Sequence, residues 1–187
     1  MKKFLYAGLI CAAMFIGGTA RSNDVIEAIA FYIPNRIMDA LDMFSVEVGF
    51  GPTARIELMA TEYVKGGFGV GATARAVKSY NRQYGFCVQN GWYYQIVAVG
   101  GEEMDRPDEW RTRWVQRFRE SRHGLPDFED NIYNVYEGAR DFWRIGGALG
   151  LGIEAELYIH PLDIADFITG FFFIDLHGDD LTSENFL

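Results

Sequence analysis

The chain has 187 residues, 26 acidic against 17 basic, and its net charge of −9 excludes a general nucleic-acid footprint, which needs clustered cations. With 49% apolar and 16% aromatic residues it can bury a sizeable core without help from disulfides, and its two cysteines, Cys11 and Cys87, exclude a disulfide framework.

The first twenty residues have the parts of a secretory signal peptide. Lys2-Lys3 make a basic head, Phe4 to Ile16 an apolar run, and Gly17-Gly18-Thr19-Ala20 a stretch of small residues. The run is shorter than the roughly 20 residues of a spanning helix. The expectation is a signal peptide over 1–20 and a single domain over 21–187, exported to the periplasm or the outer membrane of a Gram-negative bacterium. Lys2 and Lys3 are the only charges in 1–20, so 15 basic and 26 acidic residues remain, a net charge of −11. Ile10 before Cys11, and the apolar residues beyond it, argue against lipidation there, since a lipidated cysteine follows a small residue. Cys87 falls inside a strand and is expected to be buried and inert.

Residues 24–44 read as two short amphipathic helices interrupted by Pro34. Val25, Ile26, Ile29 and Ile33 recur at helical spacing in the first; Ile37, Met38 and Leu41 do so in the second, opposite Arg36, Asp39 and Asp42.

From Met43 to Val99 the pattern has a period of two. Phe44, Val46, Val48 and Phe50 alternate with Ser45, Glu47 and Gly49; Ile56 and Leu58 with Arg55 and Glu57; Phe68, Val70, Ala72 and Ala74 with Gly67, Gly69, Gly71 and Thr73. Successive side chains leave opposite faces of a strand, so this predicts half-buried antiparallel strands. Gly51-Pro52, Lys65-Gly66-Gly67 and Asn90-Gly91 are the expected turns, Asn-Gly being the strongest short hairpin signal. Residues 149–159 alternate again and are expected to return beside an early strand. The glycine rows also resemble the small-inside, apolar-outside alternation of membrane barrels. Short strands and intervening helices argue against a full barrel and leave open a curved sheet or partial barrel.

Residues 107–124 read as a helix, with Trp110, Trp114, Val115 and Phe118 on one stripe and Arg106, Arg111, Arg113, Arg117, Arg119 and Arg122 opposite. Six of the chain's thirteen arginines lie in the 17 residues from Arg106 to Arg122. Arginine suits phosphate and carboxylate through its planar fork, and the two tryptophans suit a lipid boundary. These eight polar and aromatic residues are the candidate binding surface. Pairing with the chain's own acids is the bland alternative. Pro161–Leu176 reads as a last helix, apolar nearly all round, with Phe167, Phe171, Phe172 and Phe173 as a contact surface.

Phosphate loops, nucleophile elbows and paired-cysteine metal motifs are missing from the sequence. His160, His177, Asp179 and Asp180 are weak catalytic candidates, should the last helix fold back. The expected fold is therefore α+β: an antiparallel meander of about six strands with amphipathic helices packed on one face or end. The expected function is non-enzymatic, an envelope binding or scaffold module that contacts a lipid surface or a protein partner. It needs no cofactor or metal, has no membrane-spanning segment in the mature chain, and does not bind nucleic acid. A small periplasmic hydrolase using His160 and the terminal aspartates is the alternative.

Overall fold

The computed structural model describes residues 22–172, 174 and 176. The expected signal peptide, Phe173, His177, Asp179 and Asp180 lie outside the described residues. Up to Leu41 and again from Asp163 the described chain forms one compact unit; Asp42–Leu162 forms another.

Two helices make up most of the first unit. Helix α1 spans Ser22–Asp42 with Pro34 inside it. The expected break into two helices does not occur: Pro34 forfeits its own backbone N–H, and the helix continues past it. Helix α2 spans Pro161–Gly170 and ends before the expected Leu176, with Phe171 and Phe172 already in a turn. The Arg36 guanidinium lies against Gly170, so α1 and α2 meet there through that side chain. Polar residues face inward: Asn35, Arg36, Asp39, Asp163 and Asp166 are buried, while Ile33, Ile37, Leu41, Ile168, Phe171 and Phe172 are exposed. Arg36 pairs with Asp39 at 2.6 Å.

The second unit is one antiparallel sheet of β1 (Phe44–Thr61), β2 (Val64–Ser79), β3 (Gln83–Val97), β4 (Val99–Arg106), β5 (Phe118–Gly124) and β6 (Ile145–Ile159), in the order β5-β4-β3-β2-β1-β6. The return of the late strand beside the first is as expected, with Val46 opposite Leu157. The sheet is not closed into a barrel; β5 and β6 are its edges.

The turns differ from those expected. Glu62-Tyr63 joins β1 to β2, since Thr61 pairs with Val64. Tyr80-Asn81-Arg82 joins β2 to β3, with Asn81 and Arg82 at φ 52° and 54°. Val97-Ala98, with Val97 at φ 55°, joins β3 to β4. Gly51-Pro52, Lys65-Gly66-Gly67 and Asn90-Gly91 all lie inside strands.

Those internal glycines serve a bend. Gly71 pairs directly with Gly91, and the β1–β6 register shifts between Phe50 and Ala54. Tyr158, whose register partner is Ser45, donates its hydroxyl to Glu57 at 2.6 Å. Ser45 and Glu57 would stand on the order of 40 Å apart on a straight strand, so β1 must fold over between them. Glycine inside a strand is the usual device at such a corner. Gly71 and Gly91 adopt φ 149° and 137°, and a Cβ on either would strike the backbone of the neighbouring strand.

The largest correction concerns polarity. The alternation is present, but its apolar row does not form the core. Phe44, Val46, Val48, Phe50, Ile56, Leu58, Phe68, Val70, Leu149, Leu151, Ile153 and Leu157 are exposed, whereas Ser45, Glu47, Arg55, Glu57, Lys65, Thr73, Arg75, Glu154 and Glu156 are buried. A small apolar cluster of Tyr93, Met104, Phe118, Ile132, Tyr133, Ala139 and Phe142 sits among those polar groups. The strands are also longer than expected, at 18, 16, 15 and 15 residues for β1, β2, β3 and β6. Short strands therefore no longer argue against a lipid-facing sheet.

Candidate functional site

The inner face of the sheet is a charge-balanced network. At one level Glu47, Glu154 and Glu156 meet Arg55, Arg75 and Arg106. Arg75 and Arg106 each reach Glu47 at 3.2 Å, Arg75 also pairs with Glu154 and Glu156, and Arg55 pairs with Glu156. At another level Lys65 lies between Glu57, Glu62 and Glu102 at 3.5, 3.5 and 3.7 Å. The segment 125–144 supplies the remaining cations: Arg140 pairs with Glu102 and Glu62, and Arg144 with Glu62. Glu62 N–H donates to Phe142 O, and Gln83 to Ala139 O, which hold this segment against the sheet.

Such burial is costly unless every charge is met. Desolvation alone would raise the Glu47 carboxyl, but Arg106 and Arg75 overrule it and hold it at about 2. Glu102 is likewise held at about 2 by Arg140 and Lys65 against the same desolvation. Burial pushes the Tyr93, Tyr133 and Tyr158 hydroxyls well above the ordinary tyrosine value, so all three stay neutral. A cavity of about 30 Å³, room for a water molecule, lies among these groups and is lined by residues from all six strands, Glu47, Lys65, Gln89, Arg106, Phe118 and Glu156 among them.

A second constellation stands where β1 begins and β6 ends. The register places Ser45 beside the last residues of β6, and His160 follows immediately. His160 Nδ1 donates to Asp141 Oδ2 at 2.8 Å, and its Nε2 stands 2.5 Å from Ser45 Oγ. A carboxylate can only accept, so Asp141 places the ring proton on Nδ1 and leaves Nε2 to accept from the serine hydroxyl. Burial lowers the His160 pKa despite the opposing pull of Asp141, which keeps the imidazole neutral. Asp141 is itself fixed, because its other oxygen accepts from Trp143 N–H at 2.8 Å. The Tyr80 ring stacks on His160 at 5.2 Å. All three members are 1–2% exposed.

The expected binding surface is rearranged. Residues 107–117 form no helix, and Phe118–Gly124 is strand β5. The stripe of Trp110, Trp114, Val115 and Phe118 matched helical spacing, yet Phe118, Glu120 and Arg122 also alternate with Arg119, Ser121 and His123, and pairing with β4 favours the strand. Arg106 and Arg122 turn inward, to Glu47 and Glu102. Arg111 pairs with Asp108 at 2.6 Å and donates to Val115 O at 2.6 Å. Arg113, Arg117 and Arg119 remain outward, Arg117 on Asp108 at 3.2 Å. Trp110 and Trp114 are 83% and 68% exposed, so they do not pack beneath a helix. Of the apolar contact residues, Phe171 and Phe172 are exposed and Phe167 meets Phe171 edge-on at 5.1 Å.

Of the catalytic candidates, His160 does sit in a polar constellation, but with Ser45 and Asp141. Neither partner could be found from sequence: Ser45 lies 115 residues away and reads as one polar position in an alternating strand. Among the described residues no three His, Cys, Asp or Glu side chains are grouped to hold a metal ion. Cys87 is buried, and burial raises its thiol. Compared with family models, curated proteins and solved structures, the chain matches none.

Proposed function

We propose that the protein is an envelope protein held in lipid by the apolar outer face of its sheet and helices. The observation that carries this reading is the inverted polarity: charges inside, bulky apolar side chains outside, in both compact units. Exposed apolar patches on water-soluble monomers seldom exceed a few hundred Å². Here the outer rows of β6, β1, β2 and β3 are apolar over most of their length, and α1 and α2 repeat the pattern. The alternation polar-in and apolar-out is that of strands whose outer face meets acyl chains.

The edges of that face support the same reading. Lys78 on β2 reaches back to Phe44 O and lies over the Phe44 and Tyr84 rings, at 4.7 and 5.8 Å. A lysine among aromatic rings at the margin of an apolar surface suits a headgroup boundary. Trp110, Trp114, Arg113, Arg117 and Arg119 are exposed and add aromatic and cationic groups of the kind that rest at anionic headgroups. No described helix is long and apolar enough to cross a membrane. Export and an envelope location belong to the same proposal.

Flotation decides it. Purified protein reconstituted with phospholipid vesicles should float in a density gradient and stay with the lipid through high-salt and alkaline washes. Recovery as a monomer in buffer without detergent, or release by salt alone, contradicts the proposal.

A further inference from the structure

We propose that Ser45, His160 and Asp141 form an acyl-transfer centre that hydrolyses a carboxylic ester carrying an apolar acyl chain. Two features carry it. The hydrogen bonds run in the order a serine nucleophile needs: Asp141 accepts from His160 Nδ1–H at 2.8 Å, and His160 Nε2 accepts from Ser45 Oγ–H at 2.5 Å. The serine oxygen then keeps both lone pairs for attack. Asp141 is locked by Trp143 N–H and His160 by its backbone N–H to Met43 O at 2.9 Å, so the histidine is oriented before substrate arrives.

The chemistry balances with water as the only co-reactant. Ser45 Oγ attacks the ester carbonyl carbon while its proton passes to His160 Nε2. The tetrahedral adduct collapses, the C–O bond to the alcohol breaks, and that proton leaves with the alcohol. Water then attacks the acyl-serine, giving its proton to Nε2, and the acid departs as Ser45 Oγ recovers the proton. His160 is the base and acid throughout. Asp141 is a positioning residue that steadies the imidazolium formed in each half.

The substrate class, unlike the site, rests on the lipid reading above. Phe44 and Val46, the neighbours of Ser45, lie on the exposed apolar face, and Lys78 marks its margin. An acyl chain lying along that face reaches the end of the sheet where β1 begins; Ser45 Oγ lies on the opposite, inner face, so the ester carbonyl must pass around that end to meet it. Ser45 is only 2% exposed, so turnover requires opening at that end.

An alkyl fluorophosphonate tests the site on the folded wild-type protein without vesicles, in plain buffer or in detergent, whichever keeps it monodisperse. Mass spectrometry should place the phosphonyl adduct on Ser45. Labelling should vanish in Ser45→Ala and fall at least 100-fold in His160→Gln, each checked for fold by circular dichroism. Asp141→Asn, which inverts the ring tautomer, should lower kcat by about a thousandfold or more with KM nearly unchanged, a split that a purely structural role would not produce. With 4-nitrophenyl esters, kcat/KM should rise from acetyl to dodecanoyl. Folded wild type that gives no Ser45 adduct overturns the site. An adduct without chain-length preference keeps the site and overturns the apolar substrate. Both results are independent of flotation, so failure here is distinguishable from failure of the membrane reading.

Discussion

Strands β6, β1, β2 and β3 share an inner face with β4 and β5 but not an outer one. Inward, every strand brings charged or polar groups to the same network, from Glu156 and Glu47 through Arg75 and Gln89 to Arg106 and Glu120. Outward, the first four present Leu151, Phe50, Phe68 and Phe86, whereas β4 and β5 present Glu103, Asp105, Arg119, Ser121 and His123. The inner row is dictated by ion pairing and is common to the whole sheet. The outer row is free of that pairing, and it changes from apolar to polar between β3 and β4. An apolar strand face is thus not always the core face.

The largest effect should come from breaking what the two regions share. Arg75 meets Glu47, Glu154 and Glu156, and Arg75→Ala leaves those carboxylates short of their cation. The expected loss is about 3–5 kcal/mol, read as a collapse of the melting transition in detergent. An unchanged transition would mean the network is not what holds the sheet. The same carboxylates set the acid limit. Glu47 and Glu102 titrate at about 2 in the fold against an ordinary 4.5, so the unfolded chain takes up protons first. Their contribution is complete above pH 4.5 and drains away as pH falls from there to about 2. Melting temperatures measured from pH 7 to pH 2 should be flat above that window and drop within it.

The outer faces come next. Leu151→Lys on β6 should cost about 2–4 kcal/mol in vesicles, as a cation on a lipid face does. Ser121→Lys on β5 should be tolerated. Equal penalties for the two would erase the distinction between the regions.

Gly91 sharpens the account of the bend that both regions share. A Cβ there would come within 2.1 Å of Glu103 O, at φ 137°. Gly91→Val should cost about 1 kcal/mol or more through that clash, and chemical denaturation would show it as a lower midpoint. The residue is as sensitive as an Asn-Gly turn would make it, for a different reason.

The smallest stability effect belongs to the exposed cations. Changing Arg113, Arg117 and Arg119 together to Gln should shift stability by at most about 1 kcal/mol per side chain. The rate at which detergent-solubilised protein enters anionic vesicles should nevertheless fall and lose its salt sensitivity, since such attraction is screened over about 10 Å at ordinary ionic strength. Insertion rates at low and high salt beside a thermal melt separate the two.

Periodicity in the sequence was enough to expose the strands, their two faces and the return of residues 149–159 to the first strand, because side-chain direction follows from the backbone alone. It could not say which face lies inside, since alternation is symmetric between a wet outside and a wet inside. Asn90-Gly91 misled because a glycine at positive φ serves a strand corner as well as a hairpin. The arginine segment misled because Trp110, Trp114 and Phe118 fit a helical stripe until pairing of Phe118–Gly124 with β4 decides for strand. His160 was legible as a polar group at a strand end, but Ser45 and Asp141 join it only through the register of β1 with β6 and the path of 125–144.

Cysteine accessibility tests the inverted polarity most directly. In a chain lacking Cys11 and Cys87, single cysteines replace Leu151, 85% exposed on β6, and Ser121, exposed on β5. Vesicle-reconstituted protein is treated with a charged, water-soluble maleimide, before and after solubilisation in detergent. The cysteine at 121 should react at once in both states, while the one at 151 should be shielded in vesicles and react only after the bilayer is dissolved. Equal, rapid labelling of both positions in intact vesicles would contradict a lipid-facing sheet.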